Sequence, residues 1–360
     1  MPDINEEYIK SLLKQIPYPG YEEENIVSFG VVRTINIQET RITVDLKFNT
    51  TNESVKSEIK KAIQDTLKRE LPDKKILAVE ALPTLNIPVG PPKPNDPWAG
   101  RAALPGIRSL LAVASGKGGV GKSTVSTNLA IALANEGLKV GLMDSDIYGP
   151  SIHIMMGVED KPGVTAQQKL LPVEKFNIKM MSMGFLIDKD TPVIWRGPMV
   201  NKAVEQFLRE VEWGELDTLI IDLPPGTGDV QLSLVQKVPM SGAIVVTTPQ
   251  EVAVVDARRG HQMFQKLNIH TFGIVENMSY YPNPGNGEKV YIFGKGGGAK
   301  AAYELGVPFL GEIPIDPEVA EAGDGGTPIV AGNPKSPASK AFQEIAQKLI
   351  KLGLLERVPR

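Results

Sequence analysis

The nine residues Gly116-Lys117-Gly118-Gly119-Val120-Gly121-Lys122-Ser123-Thr124 lie between an apolar stretch and a helix-forming one, and few folds are open to a chain that carries them. Gly116 through Ser123 fit the spacing G-x-x-x-x-G-K-[ST]. Glycines at these places let backbone N–H groups turn inward around phosphate oxygens, where a Cβ would intrude. Lys122 can neutralise β- and γ-phosphates, and the Ser123 hydroxyl can coordinate Mg²⁺. A helix that begins at the loop adds the positive end of its dipole. The neighbouring sequence supplies both flanks. Ser109 to Ala114 reads as an apolar strand, Lys122 to about Glu136 as a helix, and Gly137 stands where a left-handed C-cap belongs. The expected ligand is ATP with Mg²⁺, its phosphates held from Gly116 to Thr124.

Strands and helices alternate onward from there. Lys139 to Met143, Leu216 to Ile221, Gly242 to Thr248, Phe272 to Glu276 and Pro308 to Ile313 are near-continuous apolar runs. Such runs between helices predict an α/β fold, a mainly parallel sheet covered by helices on both faces. Residues 1–82 predict a separate small α/β domain. Arg41 to Phe48 alternates strictly, with Ile42, Val44, Leu46 and Phe48 on one face, and Ile26 to Ile37 is expected to pair with it. Ser54 to Leu71 has helical spacing of Val55, Ile59, Ala62, Ile63 and Leu67, and Ile76 to Leu82 reads as a last strand. Between the two domains, prolines at 83, 88, 91, 92, 94, 97 and 105 make residues 83–106 a semi-rigid linker. The larger domain is then 107–360. No internal repeat is present.

Carboxylates end two of these strands. Asp144 and Asp146 follow the run that ends at Met143, at the carboxyl edge where α/β sheets place their ligands. Asp222 closes Leu219-Ile220-Ile221 and precedes Leu223-Pro224-Pro225-Gly226-Thr227-Gly228-Asp229. An apolar strand ending in Asp beside a phosphate loop places that carboxylate on the Mg²⁺ shell, and the glycines after it suit a loop that senses the γ-phosphate.

Composition removes other classes of function. A net charge of -3 is not that of a general nucleic-acid binder. The N-terminus MPDINEEYIK has no apolar core of a secretory signal, and no apolar run reaches the ~18 residues of a membrane span, so a cytoplasmic protein is expected. The chain has no cysteine, which excludes disulfides, thiol nucleophiles and any iron–sulfur cluster held on its own thiolates. The only histidines are His153, His261 and His270, and no pair has a metal-ligand spacing.

Lys117, a second lysine at the head of the loop, makes K-G-G-V-G-K-S, which resembles the deviant phosphate loop of the MinD/ParA/nitrogenase iron-protein class. The likeness sharpens over S-G-K-G-G-V-G-K-S-T, D-S-D-I-Y-G-P-S (144–151), W-R-G-P (195–198), D-L-P-P-G-T-G-D (222–229), T-T-P-Q-E-V-A-V-V-D (247–256), E-N-M-S-Y (276–280), F-G-K-G-G-G (293–298) and G-E-I-P-I-D-P (311–317). Together these blocks resemble the Mrp/ApbC family over nearly all of 107–360, and residues 1–82 resemble the small domain often fused in front of it. The resemblance implies an ATP-dependent carrier or scaffold for iron–sulfur clusters that works as a homodimer and serves client apoproteins. It implies that Lys117 reaches across the dimer to the partner's nucleotide, that Asp146 activates water, that Asn277 reads the adenine, and that Pro314 and Asp316 line the base pocket. Many members carry C-x-x-C shortly after N-M-S-Y, two thiolates from each subunit bridging a cluster. Here that stretch reads Tyr281-Pro282-Asn283-Pro284-Gly285-Asn286-Gly287, and Asn49-Thr50-Thr51-Asn52 stands where the small domain often has a cysteine.

Two other readings compete. A MinD- or ParA-like positioning ATPase needs a membrane helix or DNA surface, and Ala341 to Leu352 does place Phe342, Ile345, Leu349 and Ile350 on one face. Packing of that stripe against the protein's own sheet is the expected alternative. A nucleotide-switched adaptor that binds no cluster is the other. Met155, Met156, Met180, Met181, Met183 and Met199 could form a plastic docking surface or fill the core, and Trp195-Arg196 could stack on a partner.

Overall fold

The structure, a computed structural model, describes residues 4–356 apart from 20, 29, 39, 49–52, 81–103, 148, 186–196, 227, 229–230, 233–234 and 237. Most of the linker, Asn49 to Asn52, Trp195-Arg196, Thr227 and Asp229 thus lie outside the described residues. Two compact units are formed, Met1–Asn86 and Ile87–Arg360.

The first unit contains α1 (Glu6–Leu13), β1 (Pro17–Tyr18), β2 (Tyr21–Asn25), β3 (Val32–Ile37), β4 (Arg41–Leu46), α2 (Glu53–Glu70) and β5 (Lys75–Glu80). Strand β4 is central, antiparallel to β3 and parallel to β5. The alternation at 42–46 is realised: Ile42, Val44 and Leu46 are fully buried, packed with Ile59, Ile63 and Leu67 of α2. The single strand expected from Ile26 to Ile37 begins only at Val32. Asn25 Oδ1 accepts the amides of Val27 and Ser28 at 3.1 and 2.9 Å, which turns the chain there before β3 starts.

In the second unit come β6 (Ile107–Ser115), α3 (Lys122–Asn135), β7 (Val140–Asp144), α4 (Ile152–Met155), β8 (Val173–Lys175), β9 (Ile178–Ser182), α5 (Gly197–Arg209), β10 (Leu216–Asp222), β11 (Gly242–Thr247), α6 (Glu251–Lys266), β12 (Thr271–Glu276), β13 (Tyr281–Pro282), β14 (Lys289–Val290), α7 (Gly297–Leu305), β15 (Phe309–Glu312), α8 (Pro317–Asp324), α9 (Ile329–Gly332) and α10 (Pro337–Lys351). Eight strands form one sheet in the order β15-β12-β11-β6-β10-β7-β9-β8, parallel except for β8. Every residue of β7, β10, β11 and β12 is buried. Side chains alternate between the faces of a strand, so burial of every residue means that helices cover both faces. Each strand expected beyond residue 107 is present, but β8 and β9 were not foreseen. They turn on Phe176 and Asn177, both in the left-handed region at φ 51° and 59°.

Helix α3 is buried from Val125 to Leu133 because the sheet lies on one side and α10 on the other. Its C-terminus is closed by Gly137 at φ 86°. In α10, Phe342, Ile345 and Leu349 are buried against α3 and β15, so the stripe that could have faced a membrane is covered within its own unit. No helix among the described residues is long and apolar enough to cross a membrane. Met156, Met180, Met181 and Met183 fill the core, while Met199 is exposed.

Candidate functional site

Parallel strands deliver their carboxyl ends to one edge. In register, Asp222 of β10 is flanked by Asp144 of β7 on one side and Val113 of β6 on the other. Two residues past Val113, β6 ends at Ser115 and the glycine loop begins. The connection is therefore dictated by strand register: the loop and two buried carboxylates must meet.

The loop itself has the geometry that its glycines permit. Gly119 and Gly121 lie at φ 81° and 78°, and a Cβ on Gly118 or Gly119 would meet nothing within 4 Å, so the space before the loop is open. Gly116 is glycine for the opposite reason. A Cβ there would lie 2.2 Å from the backbone of Asp256 in α6, so that helix can back the loop only across a glycine. Ser115 Oγ donates to the carbonyl of Lys117 at 2.9 Å and shapes the first turn. The Lys117 ammonium is partly exposed and has no partner among the described residues.

Lys122, Ser123 and Asp222 converge. Lys122 is buried, and its Nζ lies 2.7 Å from Asp222 Oδ2 and 3.2 Å from Ser123 Oγ. Ser123 Oγ donates to the same carboxylate oxygen at 2.6 Å. Ser126, one turn further along α3, donates to Oδ1 at 2.5 Å, and Ser145 donates to the Asp222 carbonyl at 2.6 Å. The i,i+3 spacing of Ser123 and Ser126 puts both hydroxyls on one helix face, a signal the sequence offered and the motif alone does not use.

Asp144 is fully buried. Its Oδ2 accepts Ser182 Oγ at 2.9 Å and the amides of Ser151 and Ile152 at 3.2 and 3.3 Å, while Oδ1 accepts the Asp146 amide at 3.1 Å. Burial, with the adjacent Asp222 charge, pushes its carboxyl up to about 7 against the pull of Ser182, Ile152 and Lys122. Asp146 is only partly buried, and its Oδ1 accepts the Gly149 amide at 3.3 Å.

Asn277 follows β12 directly and is buried. Its Nδ2 donates to the Val120 carbonyl inside the phosphate loop at 2.9 Å, and its own amide donates to Thr247 at the end of β11. Ser279 donates its amide to Ile313 at 2.9 Å and Ile315 donates to Tyr280 at 2.7 Å, so 277–280 and 313–316 run side by side. That pairing brings Pro314, which is buried, alongside the Asn277 segment; Asp316 caps α8 by accepting the Glu318 amide at 3.0 Å. Glu276 was not foreseen. Its carboxylate is fully buried, accepts Ser279 Oγ at 2.6 Å and the Gly298 amide at 2.5 Å, and is raised above the usual range chiefly by burial. It thereby fastens the glycine-rich start of α7 to the end of β12, next to Asn277.

These residues suit magnesium nucleotide. Mg²⁺ takes oxygen ligands, commonly one or two carboxylates and a hydroxyl besides phosphate. Ser123 Oγ and the Asp222 carboxylate supply that set, with a buried cation beside them for phosphate charge. A cavity of about 580 Å³ opens at the opposite edge of the same strands, lined by Ala134, Leu138, Lys139, Ile178 and Leu216. None of its lining residues belongs to the loop.

Residues 106–350 match the family described as NUBPL iron-transfer P-loop NTPase, and residues 6–81 match the family described as iron–sulfur cluster assembly protein. An iron–sulfur cluster carrier protein of Aquifex aeolicus is 51% identical over 71% of this chain and 71% of its own length. One from Helicobacter pylori is 40% identical over 99% of this chain and 95% of its own. Among solved structures, a nucleotide-binding protein of Archaeoglobus fulgidus in complex with ADP is 41% identical, with a TM-score of 0.56, over 62% of this chain and 88% of that one. The cell division ATPase MinD of Pyrococcus furiosus, 25% identical with a TM-score of 0.51, covers 68% of this chain and 99% of its own.

Proposed function

The chain belongs to the NUBPL iron-transfer P-loop NTPase family, and from that premise we propose that it is a magnesium-dependent ATPase acting as a nucleotide-switched homodimer in iron–sulfur cluster assembly or transfer. The observation that carries the ATPase reading is the convergence of Lys122, Ser123 and Asp222 within hydrogen-bond distance at the strand ends. A match of residues 6–81 to a family of iron–sulfur assembly proteins supports the assignment of the pathway. The working division is 1–82 for the small domain, 83–106 for the linker and 107–360 for the ATPase. The expected setting is the cytoplasm and the clients are apoproteins that receive clusters.

In the proposed mechanism, amides from Gly116 to Thr124 hold the phosphate oxygens, and Lys122 moves its charge from Asp222 to the β- and γ-phosphates. Ser123 and Asp222 hold Mg²⁺, which when bound offsets charge on the phosphate oxygens. Asp146, which is partly exposed, orients the attacking water. Water adds to the γ-phosphorus as the bond to ADP breaks, giving ADP and inorganic phosphate. Asn277, with Nδ2 already engaged by Val120, offers Oδ1 to the adenine amino group, and Pro314 and Asp316 flank the base. Lys117, without a partner among the described residues, reaches the nucleotide of a second copy. Turnover is expected to be slow without a client.

Titration calorimetry and phosphate release test the reading. Lys122→Ala should lose ATP binding or turnover, and unchanged affinity and hydrolysis would overturn the assignment of the loop. Lys117→Ala should still bind ATP but fail to dimerise in sedimentation with ATP. Normal ATP-driven dimerisation of that variant would remove Lys117 from its role.

A further inference from the structure

Relatives of this chain carry names that specify iron–sulfur clusters, and iron in such clusters is held by thiolates, with imidazole as the recurrent substitute. This chain has no cysteine and three histidines. His261 is buried with Nδ1 against Thr271 Oγ1 at 2.9 Å, and His153 lies against Phe185. His270 precedes β12, at the end of that strand away from Asn277. Among the described residues no three His, Asp or Glu side chains gather as a metal site. The donor set does not fit a cluster.

Beyond Asn277 and Tyr280 the chain enters the hairpin β13–β14, paired Tyr281↔Val290 and Pro282↔Lys289. Its exposed tip carries two asparagines three apart, Asn283-Pro284-Gly285-Asn286. Asn283 Oδ1 accepts the Gly285 amide at 2.9 Å, Asn286 Oδ1 accepts the Glu288 amide at 3.0 Å, and Asn286 Nδ2 donates to Glu288 Oε2 at 2.8 Å. Backbone bonds from Gly287 N to Asn283 O and from Asn283 N to Glu288 O close the turn at 2.7 and 2.9 Å. The root is held separately: Lys289 Nζ sits 3.9 Å from the centre of the Tyr280 ring and 2.8 Å from Glu312. A two-stranded hairpin is marginal by itself, and side-chain-to-backbone turns and a cation over a ring are what stabilise one. The tip thus has everything it needs to stay folded without a metal.

We infer that this chain holds no iron–sulfur cluster of its own: its hairpin tip is an amide-held turn, with asparagines at the spacing of a C-x-x-C thiolate pair, and the thiolates for any cluster it handles belong to a partner protein. Only the last clause rests on the proposed role in cluster assembly.

The first test is anaerobic incubation of the full chain with ferrous iron and sulfide, followed by iron quantitation. No stoichiometric iron is expected, and a stable cluster would overturn the inference. Asn283→Cys/Asn286→Cys is then titrated with Co²⁺, a probe that reports a thiolate pair on a single chain and needs no dimer. The variant should gain thiolate-to-cobalt charge-transfer absorption that the parent lacks. Its absence in a variant that binds ATP like the parent would show that the tip is not built to the geometry of a thiolate pair. Hydrogen exchange on the metal-free parent supplies an independent check. The amides of Gly285, Gly287 and Glu288 should be protected, and those of Gly285 and Glu288 should lose protection in Asn283→Ala/Asn286→Ala. Free exchange in the parent would refute the amide-held turn. ATP affinity is read in the same samples, so a failure of the ATPase reading is seen separately.

Discussion

Lys122 and Asp222 make an ion pair with side chains 5% and 0% exposed, so removing the lysine before any nucleotide binds should leave a buried charge uncompensated. Breaking such a pair typically costs 3–5 kcal/mol. Here Ser123 and Ser126 still donate to the carboxylate, which places the expected loss at the lower end, about 3 kcal/mol. For a unit of this size 1 kcal/mol moves the midpoint by ~2–4 °C, so Lys122→Met should melt about 6–12 °C below the parent. Asp222→Asn should fall by a comparable amount, because it strands the ammonium instead. The double variant carries neither charge of the pair and should recover much of the loss, a coupling of about 2 kcal/mol or more. Calorimetry in EDTA without nucleotide measures all four proteins, and the transition that rises on adding Mg-ADP to the parent marks the ATPase unit. Additive single effects, with a coupling below ~0.5 kcal/mol, would refute the reasoning. The pair would then owe its place to phosphate binding alone.

Asp144 gives a pH test whose sign is fixed. Its folded carboxyl sits at about 7 against an ordinary 3.8, so the folded state binds the extra proton and stability falls as pH rises from about 4 to 7, by roughly 4 kcal/mol at most. Asp144→Asn should flatten the melting midpoint over that window, and an identical slope in both proteins would count against the shift. Gly121→Ala would put a Cβ 2.2 Å from Asn277 Nδ2 at φ 78°, costing about 1–2 kcal/mol of strain and the Asn277–Val120 bond besides. ATP affinity should drop at least tenfold by calorimetry, and an unchanged value would mean that Asn277 does not shape the loop.

What was legible in the sequence was local. Gly116 to Thr124 is one contiguous segment, and Asp222 announces itself because an apolar run stops there. Strands β6, β7, β10, β11, β12 and β15 were legible as apolar runs between helices. Contacts between distant segments were not. Asn277 reaches Val120 across 157 residues of chain, and Asn128 holds the Val330 amide across 202. Nothing in the spacing of either pair marks them. Ser145 and Ser182 are ordinary polar residues until strand register sets them beside Asp222 and Asp144. Strand β9 was missed because Ile178-Lys179-Met180-Met181-Ser182 is short, and its identity as a strand comes from pairing with β7.

A chain of hydrogen bonds also connects the phosphate loop with the root of the hairpin. β12 ends at Glu276, and Asn277 is the next residue. One is bonded to the Gly298 amide at the start of α7, the other to Val120 within the loop. Two residues later Ser279 and Tyr280 pair with Ile313 and Ile315, and Tyr280 is also the root of the hairpin through Lys289. Asn277, Ser279 and Tyr280 therefore each carry a hydrogen bond that ties the segment between the loop and the hairpin in place. The hairpin root is thus joined to the phosphate loop by hydrogen bonds at Asn277, Ser279 and Tyr280, whether or not the tip has thiolates to offer.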